Sequence, residues 1–321
     1  MNVVYQTDDN YAVYTGVSLY SLFENNKSEE SLNVYILDGG ISESNRQKLC
    51  QLAKQYQRAI DFIDTKECDG KLESLGAPKY RGSYATYYKL FLTSLIEVTG
   101  RILYIDGDTI INSAIRTLYD YPMQGRPVAM AEDTLAYKHK LTLDFAKDEV
   151  YFNAGVILFD TDEMKRGGFD DRMKNHIINE RCEYVKHDQD LINVVYRGNI
   201  TELPLRYNMQ SIHAAASLKD YVKVYSDIIK GDINELADER ANAVICHFLR
   251  FNGQFAWNKK SIHPYADLYH QYKNASPWSE CEDVKSPEGM IFVIERLMYR
   301  CMPRAWFLRI FRMIHDKGEL I

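Results

Sequence analysis

Paired cysteines are the first absence. The six cysteines are Cys50, Cys68, Cys182, Cys246, Cys281 and Cys301, and no two lie within four residues of each other. No CxxC pattern is left for zinc or redox chemistry. A chain of 321 residues can hold a core without disulfides, so scattered thiols fit a reducing cytoplasm. No apolar run approaches the roughly 20 residues of a membrane span. The opening MNVVYQTDDNY lacks a basic start and a long apolar stretch, so no signal peptide is expected. Excess basic charge is missing too. The net charge of −6 argues against a nucleic-acid partner. Internal repeats and low-complexity segments are also absent. These absences leave a cytoplasmic protein, soluble or peripherally attached. With 46% hydrophobic and 26% charged residues, the chain can bury a core as one large α/β domain or two small ones.

What is present is alternation of strand and helix. NVVYQT (2–7), LNVYILD (32–38), AIDFID (59–64) and RILYI (101–105) read as strands. Between them, helical spacing runs from Tyr11 to Asn25, from the Ser42 N-cap to Tyr56, and over 83–96. The pattern predicts a mostly parallel sheet covered by helices. RPVAMAED (126–133), YFNAGVILFD (151–160) and AVICHFL (243–249) add strands, the first two separated by a polar, mobile segment. Helices follow at about 169–183, Gln189–Tyr196 and 263–274. A polar linker is expected at 275–289, then a distinct tail over 290–315.

The stretch RILYIDGDTII interrupts a buried strand with two acids, Asp106 and Asp108, one glycine apart. Alternate residues of a strand project to one side, and Gly107 lets the backbone approach a ligand. Two such carboxylates repel unless a cation lies between them. A hard divalent ion with oxygen ligands removes the repulsion and can bridge a diphosphate. Asp-Gly is also a common hairpin dipeptide; the apolar residues on both sides favour the metal. His247, after the strand VIC, is either a packed core residue or a third, imidazole ligand suited to manganese. Asn153-Ala154-Gly155 is either a strand opening with a bulge or an amide for sugar hydroxyls with room left by Gly155. Asp188, Gln189 and Asp190 share one turn, either as acids offsetting a helix dipole or as a carboxylate and an amide facing a substrate. Strand ends in open α/β sheets carry ligands at one rim, and Asp8, Asp9, Asn10, Glu132, Asp133 and His247 all fall at such ends.

Taken in order, DDNY (8–11), LDGGISESNR (37–46), ATYYKL (85–90), LYIDGDTII (103–111), YFNAGVILFD (151–160), HDQDLIN (187–193), LRYN (205–208) and CHF (246–248) resemble glycosyltransferase family 8, in particular its bacterial lipopolysaccharide α-galactosyltransferases and glucosyltransferases. The resemblance spans most of residues 1–260. It implies a GT-A (Rossmann-like) mixed sheet with flanking helices, and a retaining transferase that moves galactose or glucose from a UDP-sugar to a glycan, with Mn²⁺ or Mg²⁺ as cofactor. Asp106, Asp108 and His247 would hold the metal, with Gly107 between them. Asp8, Asn10 and Tyr11, with the backbone of Gln6 and Thr7, would hold uridine and ribose, Tyr11 stacking on the base. Asp133, Asn153, Ala154, Asp188 and Gln189 would bind the donor sugar, with Gln189 near the anomeric carbon.

UDP leaves as an anion that a metal stabilises, so no protein acid is needed. Retention requires same-face attack or a double displacement. Gln189 is a poor nucleophile and favours the first; Asp190 or Asp133 would serve the second. Two positions depart from the family pattern. Lys89 stands where an Arg is usual, keeping charge without the bidentate fork. The segment after His247, HFLRFNGQFAWNKK, lacks the usual Lys-Pro-Trp, so Arg250 or Lys259 is the candidate diphosphate cation. The catalytic domain is expected over 1–275, with a linker and a basic, aromatic helical tail over 276–321. From Arg296 to His315 there are five arginines and no acid. Beside Trp306 and Phe307 they suggest an interfacial helix on an anionic membrane, the other choice being a helix packed on the domain. Two rival functions are a nucleotide-sugar-binding regulator and a metal-dependent phosphohydrolase.

Overall fold

The computed structural model describes residues 1–80, 82–180, 184–229 and 231–316. Cys182, the end of the helix expected to reach 183, and the last five residues of the tail lie outside the described residues. Among the described residues ten strands form two sheets: β1 (Asn2–Thr7), β2 (Asn33–Asp38), β3 (Ile60–Asp64), β4 (Arg101–Ile105), β5 (Thr109–Ile111), β6 (Val128–Glu132), β7 (Phe152–Asp160), β8 (Ile200–Leu203), β9 (Met209–Gln210) and β10 (Ile245–His247). The larger sheet has the order β3-β2-β1-β4-β7-β6-β8, and the smaller has β5-β10-β9. Within the larger sheet β1 pairs in parallel with β2 and β4, β2 with β3, and β6 with β8; β7 pairs antiparallel to both its neighbours. Six strands therefore run one way and β7 alone runs back. The alternation read from the sequence gives this mostly parallel α/β architecture.

Strands buried on both faces need apolar residues throughout. Val3, Val4 and Tyr5 of β1, Ile102 to Ile105 of β4 and Val156 to Phe159 of β7 are accordingly buried. Two apolar layers result, one on each face of the large sheet. The helix Ala12–Asn25 covers the first, its start set by the turn in which the Tyr11 N–H donates to Asp8 Oδ1 at 2.9 Å. Ser42 caps Glu43–Gln55 as expected, accepting the Asn45 N–H at 3.3 Å.

Several elements differ from expectation, β8 and the helices Leu218–Tyr225 and Ile233–Ala241 among them. The stretch 83–96 is a 3₁₀ helix over Ala85–Phe91 followed by one α turn, Leu92–Leu95. Its apolar residues recur every three positions as well as every four (Tyr84, Tyr87; Tyr88, Phe91), and the tighter winding buries Lys89 with them. A helix over Lys66–Ser74, unexpected, buries only Cys68 and Leu72, too faint a stripe to show periodicity. The polar segment before β7 holds a short helix, Tyr137–Thr142.

The 276–289 stretch is fastened rather than free. Trp278 is fully buried with its indole where a Gly16 Cβ would stand, 2.3 Å away. Asp283 pairs with Lys273 at 2.5 Å and His270 at 3.0 Å. The tail forms two helices, Met290–Cys301 and Arg304–His315, with Pro303 between them. Phe307, Leu308 and Phe311 pack with Tyr221, Tyr225 and Phe251 in a third apolar cluster. The second tail helix is thus part of the folded body. Cys50, Cys68, Cys246, Cys281 and Cys301 are free thiols.

Candidate active site

Asp106-Gly107-Asp108 is the passage from the large sheet to the small one: β4 ends at Ile105 and β5 begins at Thr109. Both strands are pinned by ladders. The Asp106 N–H donates to the Gly155 carbonyl at 2.8 Å, and the Phe248 N–H to the Asp108 carbonyl at 2.8 Å. In the small sheet His247 faces Thr109, so the end of β10 arrives beside the two acids. The ligand atoms of Asp106, Asp108 and His247 all lie within 4.8 Å of one another.

The imidazole is oriented by a relay of amides. Asn208 Nδ2 donates to Asn153 Oδ1 at 2.8 Å, which leaves Asn208 Oδ1 to accept from His247 Nδ1 at 2.9 Å. One proton therefore sits on Nδ1, and Nε2 points at Asp108 Oδ1 at 3.4 Å and Asp106 Oδ2 at 4.0 Å, where the neutral ring would offer its lone pair to a cation. Burial pushes the His247 pKa down, but Asp108 and Asp106 outweigh it and raise it above the ordinary value. Two carboxylates and a neutral imidazole suit a divalent ion such as manganese. Gly155 keeps this place open, since a Cβ there would stand 2.1 Å from His247 Cε1. Its smallness makes room for the imidazole at the cavity wall.

Lys89 closes the other side. Its ammonium lies 3.3 Å from Asp106 Oδ1 and 3.0 Å from Asp188 Oδ2, and donates to the Ala154 carbonyl at 3.2 Å. Burial disfavours its charge, yet Asp106 and Asp188 hold its pKa above the ordinary lysine value. The Tyr104 hydroxyl donates to Asp106 Oδ1 at 2.7 Å. Asp188 is itself raised by burial, with Lys89 opposing. A cavity of about 310 Å³ opens above these groups, lined also by Gln6, Asp133, Asn153, Lys186, His187 and Gln189.

At the far end Gln189 is fixed by partners that cannot exchange roles. The Ala154 N–H can only donate, at 3.1 Å, so it takes Oε1. The Asp133 carboxylate accepts from Nε2 at 2.8 Å. Lys186 Nζ pairs with Asp133 at 3.1 Å. Burial would raise the Asp133 pKa, but Lys186 and the Gln189 amide bring it below the ordinary carboxylate value.

Several expected residues lie elsewhere. Asp190 does not line the cavity; it is fully buried and accepts from His139 Nε2 at 2.7 Å, the Lys186 N–H at 2.9 Å and the Tyr151 hydroxyl. Arg250 does not line it either, because its guanidinium lies over the Phe292 ring at 4.5 Å. Lys259 is exposed and its N–H donates to the Val284 carbonyl. Trp257 is buried, stacked on Tyr14 at 4.0 Å with Tyr11 at its edge. Asp8, Asn10 and Tyr11 are exposed beside the carboxyl end of β1, where Thr7 is buried. The sequence reasoning missed Tyr104, Tyr151, Lys186 and His139. Lys186 was detectable, one turn ahead of Gln189 in the same segment; the other three carry no local signal.

The fold is that of the GT-A glycosyltransferases. The chain belongs to glycosyl transferase family 8, whose model matches residues 2–261. General stress protein A of Bacillus subtilis (strain 168) is 30% identical over 87% of this chain and 95% of its own. A lipopolysaccharide 1,2-glucosyltransferase of Escherichia coli (strain K12) is 26% identical over 92% of this chain and 82% of its own. A lipopolysaccharide 1,3-galactosyltransferase of Salmonella typhimurium is 27% identical over 87% and 80%. The galactosyltransferase LgtC, solved with donor and acceptor sugar analogues, has the same fold with a TM-score of 0.71 at 22% identity, covering 90% of this chain and 98% of that one.

Proposed function

We propose that the protein is a retaining hexosyltransferase that moves galactose or glucose from a UDP-sugar to a glycan acceptor. The observation that carries this reading is the Asp106, Asp108 and His247 cluster opening onto one cavity with Asp188, Asp133, Asn153 and Gln189. A divalent ion held by the three ligands would neutralise the charge that develops on the departing diphosphate. Lys89 pairs with both Asp106 and Asp188 at the cavity. Asp8, Asn10 and Tyr11, exposed beside Gln6, are the proposed grip on the nucleoside. Asp188, Asp133 and the Asn153 amide offer acceptors and donors for sugar hydroxyls.

Same-face attack fits these residues. The bond from the anomeric carbon to the phosphate oxygen breaks, and its electron pair stays on UDP. The acceptor oxygen bonds to that carbon on the same face and passes its proton to the departing oxygen. Asp190 is shut away behind three donors, and Asp133 is bound by Lys186 and Gln189, so neither is poised as a nucleophile. Among the described residues only Leu249 of the loop after His247 lines the cavity, which favours Lys89 as the ammonium beside the proposed metal ligands.

The test is a donor screen for UDP release with Mn²⁺ across UDP-galactose, UDP-glucose, UDP-N-acetylhexosamines and UDP-glucuronate. Release of UDP with free or transferred hexose, lost in Asp108→Asn, is expected. Inorganic phosphate as product, or UDP-sugar binding without turnover, would replace this reading with a phosphohydrolase or a regulator.

The tail supports an attachment surface. Among the described residues no helix is long and apolar enough to cross a membrane. Met290, Ile291, Ile294, Leu297, Trp306 and Met313 nevertheless face outward, Met290 at 79% and Trp306 at 60% exposure. Arg300 and Arg309 are exposed on the same helices. An apolar face flanked by arginine fits an anionic membrane. The second tail helix belongs to the core, so deleting it would unfold the body, and surface substitutions are the proper test. Ile291→Glu with Leu297→Glu should cut flotation with phosphatidylglycerol vesicles; unchanged flotation would reject the surface.

A further inference from the structure

Behind Gln189 lies a buried polar chain that no step of the reaction yet uses. His139 Nε2 donates to Asp190 Oδ1 at 2.7 Å, and both side chains are almost wholly buried. The Tyr151 hydroxyl donates to the same carboxylate oxygen. That hydroxyl then accepts from Gln189 Nε2 at 3.3 Å. With the Lys186 N–H on the other oxygen at 2.9 Å, the Asp190 carboxylate accepts from three donors. The direction of every bond follows. Asp190 can only accept, so Tyr151 must donate to it, and its remaining lone pair must take the Gln189 amide hydrogen.

His139 sits on the short helix Tyr137–Thr142, whose first N–H groups are held from outside. The Asp316 carbonyl accepts from the Lys138 and His139 N–H groups at 3.2 Å each, and Asp316 Oδ1 accepts from Lys138 N–H at 3.1 Å. Asp316 directly follows the helix Arg304–His315, which the Arg312–Asp227 pair fixes at 2.6 and 2.7 Å. One run of contacts therefore leads from the C-terminal helix to the amide of Gln189.

We propose that His139 and Tyr151 are positioning residues of the transfer reaction: through Asp190 they hold the Gln189 amide in one orientation against the donor sugar, on a segment anchored by the C-terminal helix. The inference rests on the proposed hexosyl transfer. Neither residue lines the cavity, so their removal should affect the transfer step and spare donor capture.

The test uses the full chain as His139→Leu, His139→Gln and Tyr151→Phe. Transfer kinetics with the best donor of the screen are read beside UDP–Mn²⁺ binding by calorimetry and thermal melting. His139→Leu should lose at least tenfold in kcat while donor KM and UDP–Mn²⁺ affinity stay within twofold of wild type. His139→Gln, whose amide can still donate to Asp190, should recover most of that loss. Tyr151→Phe removes one hydroxyl at constant shape and carries the test should His139→Leu not fold; it should show the same kcat loss. Wild-type kcat in Tyr151→Phe, equal loss in the Leu and Gln variants, or a change confined to KM would overturn the inference. A wild-type chain that turns over no UDP-hexose would overturn the proposed function, and this inference with it.

Discussion

Adding one methyl group at Gly155 should dismantle the metal centre from behind. An alanine Cβ there would stand 2.1 Å from His247 Cε1, 2.7 Å from Nδ1 and 3.0 Å from Asp106 Oδ2. Carbon atoms in contact prefer about 3.5–4.0 Å, so the imidazole must retreat by more than 1 Å or β7 must yield. The ring has little room to retreat: it is 2% exposed, and Asn208 holds its Nδ1. β7 is equally constrained, laddered to β4 on one side and β6 on the other. Overpacking of this kind costs about 1–3 kcal/mol. Displacing a ligand beyond bonding reach should cost at least what losing its orienting partner costs, about 10–100-fold in metal affinity. The assay is calorimetric titration of Mn²⁺ in the presence of UDP, for wild type, Gly155→Ala and Asp108→Asn, with melting curves for each. Gly155→Ala should bind Mn²⁺ at least tenfold more weakly and melt a few degrees lower. Wild-type affinity in Gly155→Ala would refute the reasoning, because the glycine would then not be reserving the imidazole's place.

Three further outcomes follow from the same geometry. Lys89→Met leaves half-buried Asp106 and buried Asp188 side by side without a cation, so it should destabilise the metal-free chain by up to about 3–5 kcal/mol; Mn²⁺ should restore part of the lost melting temperature by neutralising Asp106, and absence of that recovery would count against the paired arrangement. His247 has a raised pKa when metal-free, so its pairing with Asp108 and Asp106 stabilises the metal-free fold fully below the unfolded value and is lost as pH rises through the folded one; ligation needs the neutral ring, so Mn²⁺ should displace a proton and bind about tenfold more weakly for each unit that the pH falls below that folded pKa, as titrations at several pH values would read. Trp278→Ala should cost about 3–5 kcal/mol in urea unfolding, because the indole fills the space beside Gly16.

The strands were legible because burial on both faces wrote apolar runs into 2–7, 33–38, 101–105 and 152–160. Asp106 and Asp108, two of the proposed metal ligands, were legible as candidates for a related reason: acids stand out where a buried strand passes from one sheet to another. Regular winding over 83–96 was not, since spacings of three and four coexist there and packing of Lys89 chose the tighter helix. The support of the site was hidden more deeply. Asn208 lies inside LRYN, but nothing in one sequence says that its amide faces His247, 39 residues away. His139 and Asp190 meet across 51 residues, and Asp316 reaches Lys138 across 178. Asp190 reads as a reactive acid beside Gln189 because sequence proximity shows neighbours along the chain and not the donors that fold over them. Arg250 reads as a phosphate cation for the same reason, although Phe292, far along the chain, has taken its guanidinium.

The crossing from β4 to β5 makes the metal centre a joint between two plates. Asp106 is set by the large sheet, while Asp108 and His247 are set by the small one. The small sheet is bolted in turn to the first helix: Asn25 Nδ2 donates to the Ile111 carbonyl at 2.9 Å and to the Tyr272 hydroxyl at 2.8 Å, and Ser21 Oγ accepts the Ile111 N–H at 2.9 Å. A slip between the plates would therefore change the spacing of the three proposed ligands, and an ion held by all of them would resist it. Substitutions at Asn25 or Ser21, which touch no ligand, belong to the metal's affinity as much as to the fold's stability.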